Sequence, residues 1–271
     1  MAYYLHEKRR NYYVEFGQGR PVVLLHGISN SGRAWSPQIA RLVETGFRVI
    51  VPDHAGHGAS ARIGAPLGIE DLAQDVIALL DHLDIESAHL VGLSLGGLIA
   101  IELALTASAR VDTLVLANSF PSTSTDAFRA LADQWASTFR GNDGPVKRFE
   151  GAWPSNVSAP FRASDAGIAT WQTWHAIAAM ADGESLAYIA QGIVGYDSTN
   201  RLSTIEKPTL VIAGSDDRIS PPSISRDMSL QLQCAKYVEI EAAAHISNVD
   251  SADAFNAEMI AFLVGTESIA Q

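Results

Sequence analysis

The chain has one cysteine, Cys234, among 271 residues, so neither an intrachain disulfide nor a cysteine-rich metal site can be built from it. In "LQLQCAKYVEI" that thiol reads as a buried structural one. Basic residues are also scarce: 19 Lys and Arg stand against 30 Asp and Glu, a formal net charge of −11. That sign argues against nucleic acid or an anionic membrane as the main partner. It weighs against anionic substrates too, unless a local basic group overrides it. No apolar run reaches the roughly eighteen residues needed to span a bilayer. The opening "MAYYLHEKRRNYYVEF" lacks the apolar core of a signal peptide. A reducing cytoplasm fits these absences.

Motifs of metal and nucleotide chemistry are missing as well. There is no H-x-H-x-D-H or H-E-x-x-H run, and His54-x-x-His57 is too short a signal for zinc. Neither G-x-G-x-x-G nor a phosphate-cradling G-x-x-x-x-G-K-[ST] loop occurs. No metal and no cofactor are expected. The remaining partner is a small-molecule substrate; the oligomeric state is open, and a homo-oligomer is allowed.

What is present is apolar and periodic. A hydrophobic content of 47% with 18% charged residues describes a compact chain with a sizeable core. "NYYVEFGQG" alternates like a strand, and Gly17 and Gly19 read as the turn of an opening hairpin. "PVVLLHG", "FRVIVPD", "SAHLVGL", "VDTLVLAN", "KPTLVIAG" and "AKYVEIE" read as further strands, most of them continuous apolar runs. Between them "GIEDLAQDVIALLDHLDI" sets Ile69, Leu72, Val76, Leu79, Leu80 and Leu83 on one helical stripe. Strands alternating with helices predict a mostly parallel, doubly wound sheet with its site beyond the carboxyl ends of the strands. From Pro121 to about Asn200 no buried strand appears, only helical patterns carrying Trp135, Trp153, Trp171 and Trp174. This predicts a helical cap over 121–200, inserted into a core of 1–120 and 201–271.

The chemistry-bearing stretch is "HLVGLSLGGLIA". Gly92-Leu93-Ser94-Leu95-Gly96 falls between a buried strand and a helix, the setting of a nucleophile elbow. There the turn is so sharp that its neighbours must be small, and a serine at its tip projects beside a helix N-terminus. An ordinary Ser/Gly turn is the plainer reading, and the strand–helix context weighs against it. Ser94 as nucleophile needs a base and the base an orienting carboxylate.

Of eight histidines, His245 in "EAAAHISNVD" follows the last strand, where a triad histidine comes last in chain order. His6 and His82 read as solvated, His89 as strand packing, and His54 and His57 as loop-shaping. His175, in the cap, reads as structural or as touching substrate. "VIAGSDDRISPP" offers Asp216 and Asp217 as the acid, with Asp217 favoured by motif register. Two backbone N–H groups, from Leu95 and from Ile28, are the expected oxyanion hole, with His26 bracing the second loop. Ser29, Trp35 near the entrance, and Trp135 are expected to contact substrate.

The segments "LLHG", "PDHAGHGAS", "VGLSLGG", "AGSDDRISPP" and "AAAHISNVDSADAFN" together resemble the α/β-hydrolase superfamily over the whole chain outside the cap. The stretch His245-Ile246-Ser247-Asn248-Val249-Asp250 is similar to the 3-oxoadipate enol-lactonase branch, and aminoacrylate and small-ester hydrolases share parts of it. "DHAGHG" departs from the pattern, which more often has Arg before its first glycine. The resemblance implies an α/β-hydrolase fold: a mostly parallel eight-stranded sheet flanked by helices, with the cap after the sixth strand. It implies a Ser94–Asp217–His245 serine hydrolase of a lactone or small carboxylic ester. The alternatives are a carbon–carbon bond hydrolase of ring-cleavage products and a catalytically silent binding protein of the same fold.

Overall fold

A computed structural model describes residues 2–267. Eight strands form one sheet: β1 (Ala2–His6), β2 (Arg9–Phe16), β3 (Arg20–Leu25), β4 (Phe47–Pro52), β5 (Ala88–Leu93), β6 (Val111–Ala117), β7 (Thr209–Gly214) and β8 (Ala235–Ile240). Their spatial order is β1-β2-β4-β3-β5-β6-β7-β8. The β1–β2 and β2–β4 pairs are antiparallel, and every pair from β4–β3 to β7–β8 is parallel. Strands β5 and β7 are buried at every position, which explains why they read as unbroken apolar runs.

The opening hairpin corrects one expectation. Its turn is Glu7-Lys8, both left-handed (φ 46° and 66°), the twist that suits a two-residue hairpin loop. Gly17 and Gly19 instead carry the chain from β2 to β3, two strands that do not pair; β2 lies against β4.

Helices α1 (Ser36–Glu44), α2 (Ile69–His82) and α3 (Leu95–Thr106) follow β3, β4 and β5. The α2 stripe is realised as read: Ile69, Leu72, Val76, Leu79 and Leu80 are buried, with Leu83 half-buried just past the helix end. Between β6 and β7 run α4 (Asp126–Arg140), α5 (Gly144–Asn156), α6 (Ala159–Ala163), α7 (Asp165–Met180) and α8 (Gly183–Gly192). Helix α9 (Pro222–Gln231) follows β7, and α10 (Ser247–Asp250) and α11 (Ala252–Glu267) follow β8. Two apolar clusters sandwich the sheet, one built on α2 and α3 and the other on α1, α11 and part of the helical insertion. No described helix is long and apolar enough to cross a membrane.

Cys234 is exposed, contrary to the sequence reading. It sits in the short link before edge strand β8, where its carbonyl accepts from the Thr209 amide (2.8 Å) and its side chain is left outside.

Candidate active site

Above the carboxyl ends of the central strands lies a cavity of about 570 Å³. Ser94 and His245 both line it, as do Ile28, Ser29, Leu95 and Trp135. Ser94 is the residue between β5 and α3, and its backbone is left-handed (φ 52°, ψ −112°). A non-glycine residue held there costs of order 1–3 kcal/mol, so the surroundings must enforce it. They do. The Ser94 amide donates to the Ala117 carbonyl (3.0 Å), and its own carbonyl accepts from the Gly97 amide and the Ser119 hydroxyl (both 2.9 Å). Glycine is required around it for space: a Cβ on Gly92 would collide with the Gly96 backbone, and one on Gly96 with the Leu25 carbonyl. Gly92 and Gly96 thus mark a close approach of β3, β5 and α3, built around a projecting serine.

His245 stands in the loop between β8 and α10, buried at 7% exposure. Its Nδ1–H donates to Asp217 Oδ2 at 2.9 Å, which leaves Nε2 unprotonated as an acceptor. The Ser94 hydroxyl has no hydrogen-bonding partner among the described residues, His245 included; such contacts are commonly long before substrate tightens them. Asp217 also accepts from the Ile219 and Ser220 amides on Oδ1 (2.8 and 2.9 Å) and from Asn118 Nδ2 on Oδ2 (2.9 Å). Burial alone would raise its pKa. The His245 ring, the Ser220 amide and Asn118 outweigh that and hold the carboxyl below the usual carboxylate range. Asp216, one residue earlier, is exposed.

Ile28 and Leu95 line the cavity, and neither backbone amide has an acceptor among the described residues. The Ile28 loop is held by a cluster of three buried histidines, His26, His54 and His57, packed tilted and edge-to-face. His26 Nδ1–H donates to the Gly27 carbonyl (2.8 Å) and its Nε2 accepts the His54 amide (3.0 Å). His54 Nε2–H returns a bond to the His26 carbonyl (3.0 Å). His57 donates through Nδ1 to the Ala55 carbonyl (3.1 Å) and accepts the Ser29 amide on Nε2 (3.1 Å), holding Ser29 left-handed at φ 57°. The acceptor roles of His26 and His57 require neutral rings. Burial enforces it, pulling His57 down to about 4, His54 to about 3 and His26 well below its ordinary value. "DHAGHG" therefore braces the second loop, and no described group of His, Cys, Asp or Glu converges as a metal ion would need.

Several residues escaped the sequence reading. Asn118, left-handed at the end of β6 (φ 46°), ties three parts of the site together. It donates to Asp217 and to the Ala244 carbonyl (3.2 Å) and accepts from the Ser247 hydroxyl (2.5 Å). In the histidine loop, Asn248 donates to the Ala34 carbonyl (2.9 Å), and Asp250 accepts the amides of Ala244 (2.8 Å) and Ser158 (2.9 Å). The Ser-Asn-Val-Asp run after His245 is thus a set of tethers for the histidine. In the sequence Asn118 shows only as a turn-forming residue ending an apolar strand, and Asn248 and Asp250 only as part of a family resemblance.

Two expected contacts are not made. Trp35 is fully buried at 0% exposure and packs on Phe255 rather than at the entrance, because the 3₁₀ turn Gly32–Trp35 directs it into the core. His175 turns towards α5, packed on Trp171 (4.7 Å) and Phe149 (6.2 Å) with Nε2 3.2 Å from Glu150, and does not line the cavity. Its neighbour Trp174 lines the cavity instead, one residue or about 100° around the helix.

With the fold and these groups in view, relatives can be compared. The sequence profile of the alpha/beta hydrolase fold family matches residues 20–252. The chain belongs to that family. This hydrolase is 31% identical over 252 residues to a protein of Variovorax paradoxus (strain S110) provisionally named carbamate hydrolase RutD, covering 90% of this chain and 92% of that one. It is 30% identical over 237 residues to 3-oxoadipate enol-lactonase 1 of Acinetobacter baylyi, covering 86% and 85%. The crystal structure of the enol-lactonase from Burkholderia xenovorans LB400 superposes with a TM-score of 0.91 at 28% identity, covering 97% of this hydrolase and all of that chain.

Proposed function

We propose that this hydrolase is a cofactor-independent serine enzyme that opens a lactone or small carboxylic ester, an enol-lactone being the favoured class. The observation that carries this is the convergence on one cavity of three features. They are a strained serine at a strand end, a histidine whose free nitrogen is fixed by a buried aspartate, and two backbone amides without acceptors. His245 Nε2 takes the hydroxyl proton as Ser94 Oγ bonds to the carbonyl carbon. The Ile28 and Leu95 amides meet the negative charge on the former carbonyl oxygen. Collapse breaks the acyl C–O bond, and His245 returns its proton to the leaving oxygen. In a lactone that oxygen stays tethered to the acyl chain. Water, deprotonated by His245, then adds to the acyl-enzyme and expels Ser94. One water is consumed, giving an acid and an alcohol from an ester, or a single hydroxy or oxo acid from a lactone.

The names of the relatives support this reading, and the carbamate hydrolase name favours a second one in which the same serine attacks a carbamate carbonyl. A panel of an enol-lactone, p-nitrophenyl acetate, a carbamate and a vinylogous diketo acid separates them. The expected result is turnover of the lactone and ester, a loss of roughly 10⁵-fold in Ser94→Ala with folding intact, and fluorophosphonate labelling at Ser94. Turnover of the carbamate alone selects the second reading. Turnover of the diketo acid with no lactone or ester cleavage moves the chemistry to a carbon–carbon bond. Folded protein that neither turns over nor labels is a binding protein.

A further inference from the structure

The cavity holds one cation without a counter-ion. Arg148, on α5, lines it together with Ala152, one helical turn on, and no Asp or Glu lines it at all. The Arg148 Nε is sealed from solvent and has no hydrogen-bond partner, and the side chain makes no ion pair among the described residues. Its one described contact is the face of Trp135, 4.7 Å from the guanidinium carbon to the ring centroid. Several other arginines are paired with a carboxylate. Arg9 pairs with Asp75, Arg48 with Glu15, Arg140 with Glu184 and Arg201 with Glu102. Burial pushes the Arg148 pKa down to about 10, which leaves it cationic at neutral pH. Arg148 is half-buried, with its Nε sealed and no counter-ion beside it, so its charge is partly desolvated and uncompensated, and a substrate anion would supply the missing partner.

We infer that Arg148 is a specificity-determining residue that receives a carboxylate on the substrate, separate from the acyl group that Ser94 attacks. This rests on the hydrolase reading above. The planar guanidinium matches a carboxylate bidentately, and the Trp135 ring behind it fixes its plane. A lysine would present a point charge with neither property. Ser94 and Arg148 line the same cavity, so the substrate class is a molecule carrying both ends: a carboxylate-bearing lactone, or the half-ester of a dicarboxylic acid. A local cation also answers the objection raised by the chain's net charge of −11, because within a desolvated cavity a nearby charge outweighs screened surface charges.

The test compares monomethyl glutarate with dimethyl glutarate, equal in length and different in charge, for the wild type, Arg148→Met and Arg148→Lys. The wild type should prefer the half-ester. In Arg148→Met the ratio of kcat/KM, half-ester over diester, should fall by about 30-fold or more, chiefly through KM on the half-ester, with Arg148→Lys between. If both substrates slow together and the ratio moves less than about threefold, Arg148 only packs against Trp135 and the inference fails. Should Arg148→Met not fold, inhibition of wild-type p-nitrophenyl acetate turnover by glutarate and by glutaramide decides: glutarate should bind about 30-fold tighter, and equal inhibition overturns the inference. If the wild type hydrolyses neither ester nor lactone, the function proposed above has failed; calorimetric binding of glutarate against glutaramide then still judges Arg148 by the same margin.

Discussion

The floor and the roof of the cavity are built on different principles. On the floor, directional bonds hold the polar groups that surround Ser94: Asp217 accepts four, Asn118 makes three with its side chain, and the histidine cluster cross-bonds its own loop. On the roof, Trp135, Phe149 and Trp174 line the space with aromatic surface, and the one charged side chain, Arg148, is bonded to nothing. Bond-forming chemistry tolerates errors of a fraction of an ångström, so its groups are held by many short contacts. Recognition of a small molecule needs shape and one or two placed charges, which packing supplies. Changes to the floor should therefore act on kcat, and changes to the roof on KM.

The largest effect sharpens this division on the floor. Asp217→Asn keeps the shape but lets Nδ1 of His245 lose its acceptor, so kcat should fall roughly 10⁴-fold with KM little changed, read by steady-state kinetics. A KM effect of comparable size would break the division.

Next comes the stability of the floor against pH. Burial keeps His26, His54 and His57 uncharged, so the unfolded chain takes up protons near pH 6.5 that the folded chain accepts only near 4 at His57 and near 3 at His54. Their folded pKa values lie below the unfolded ones, so stability is complete above about pH 6.5 and declines as the pH falls towards 4. His57 alone accounts for about 3 kcal/mol over that window. Urea midpoints should drop between about pH 7 and pH 5, and less steeply in His57→Gln. Midpoints that do not move would mean these rings are hydrated and the floor is less closed than its bonds imply.

The smallest effect probes the roof. Trp135→Ala should raise KM about tenfold while the Tm falls only a few degrees, because the half-buried ring faces the cavity on one side and Phe128 on the other. A large Tm loss with unchanged kinetics per folded molecule would make Trp135 a packing residue and erase the contrast.

What could be read from the sequence divides along the same line. Ser94 was legible because a glycine-flanked serine between strand and helix has few other physical reasons to exist. His245 and Asp217 were legible because each follows a strand whose end must face the site. The choice of Asp217 over Asp216 rested on motif register, and their opposite burial has its cause in the turn: the Ile219 and Ser220 amides point inward to meet a carboxylate. The Asn-Val-acidic run after His245 was recognisable as a pattern, but its purpose was not. Its partners Ala34 and Ser158 lie more than 90 residues away in the chain.

Trp35 and His175 were misread for one reason: proximity in sequence to a functional loop or helix does not fix which way a side chain turns. A 3₁₀ turn carries Trp35 into the core, and one step along α7 exchanges His175 for Trp174. The alternation of strands and helices, the strand–serine–helix elbow and the family were thus legible in local pattern, since backbone geometry at a strand end permits few residues. The unpaired state of Arg148, the tethers of Asn118 and the choice of aromatics on the roof were decided only in three dimensions. They depend on what a side chain meets from distant segments, and no local spacing encodes that.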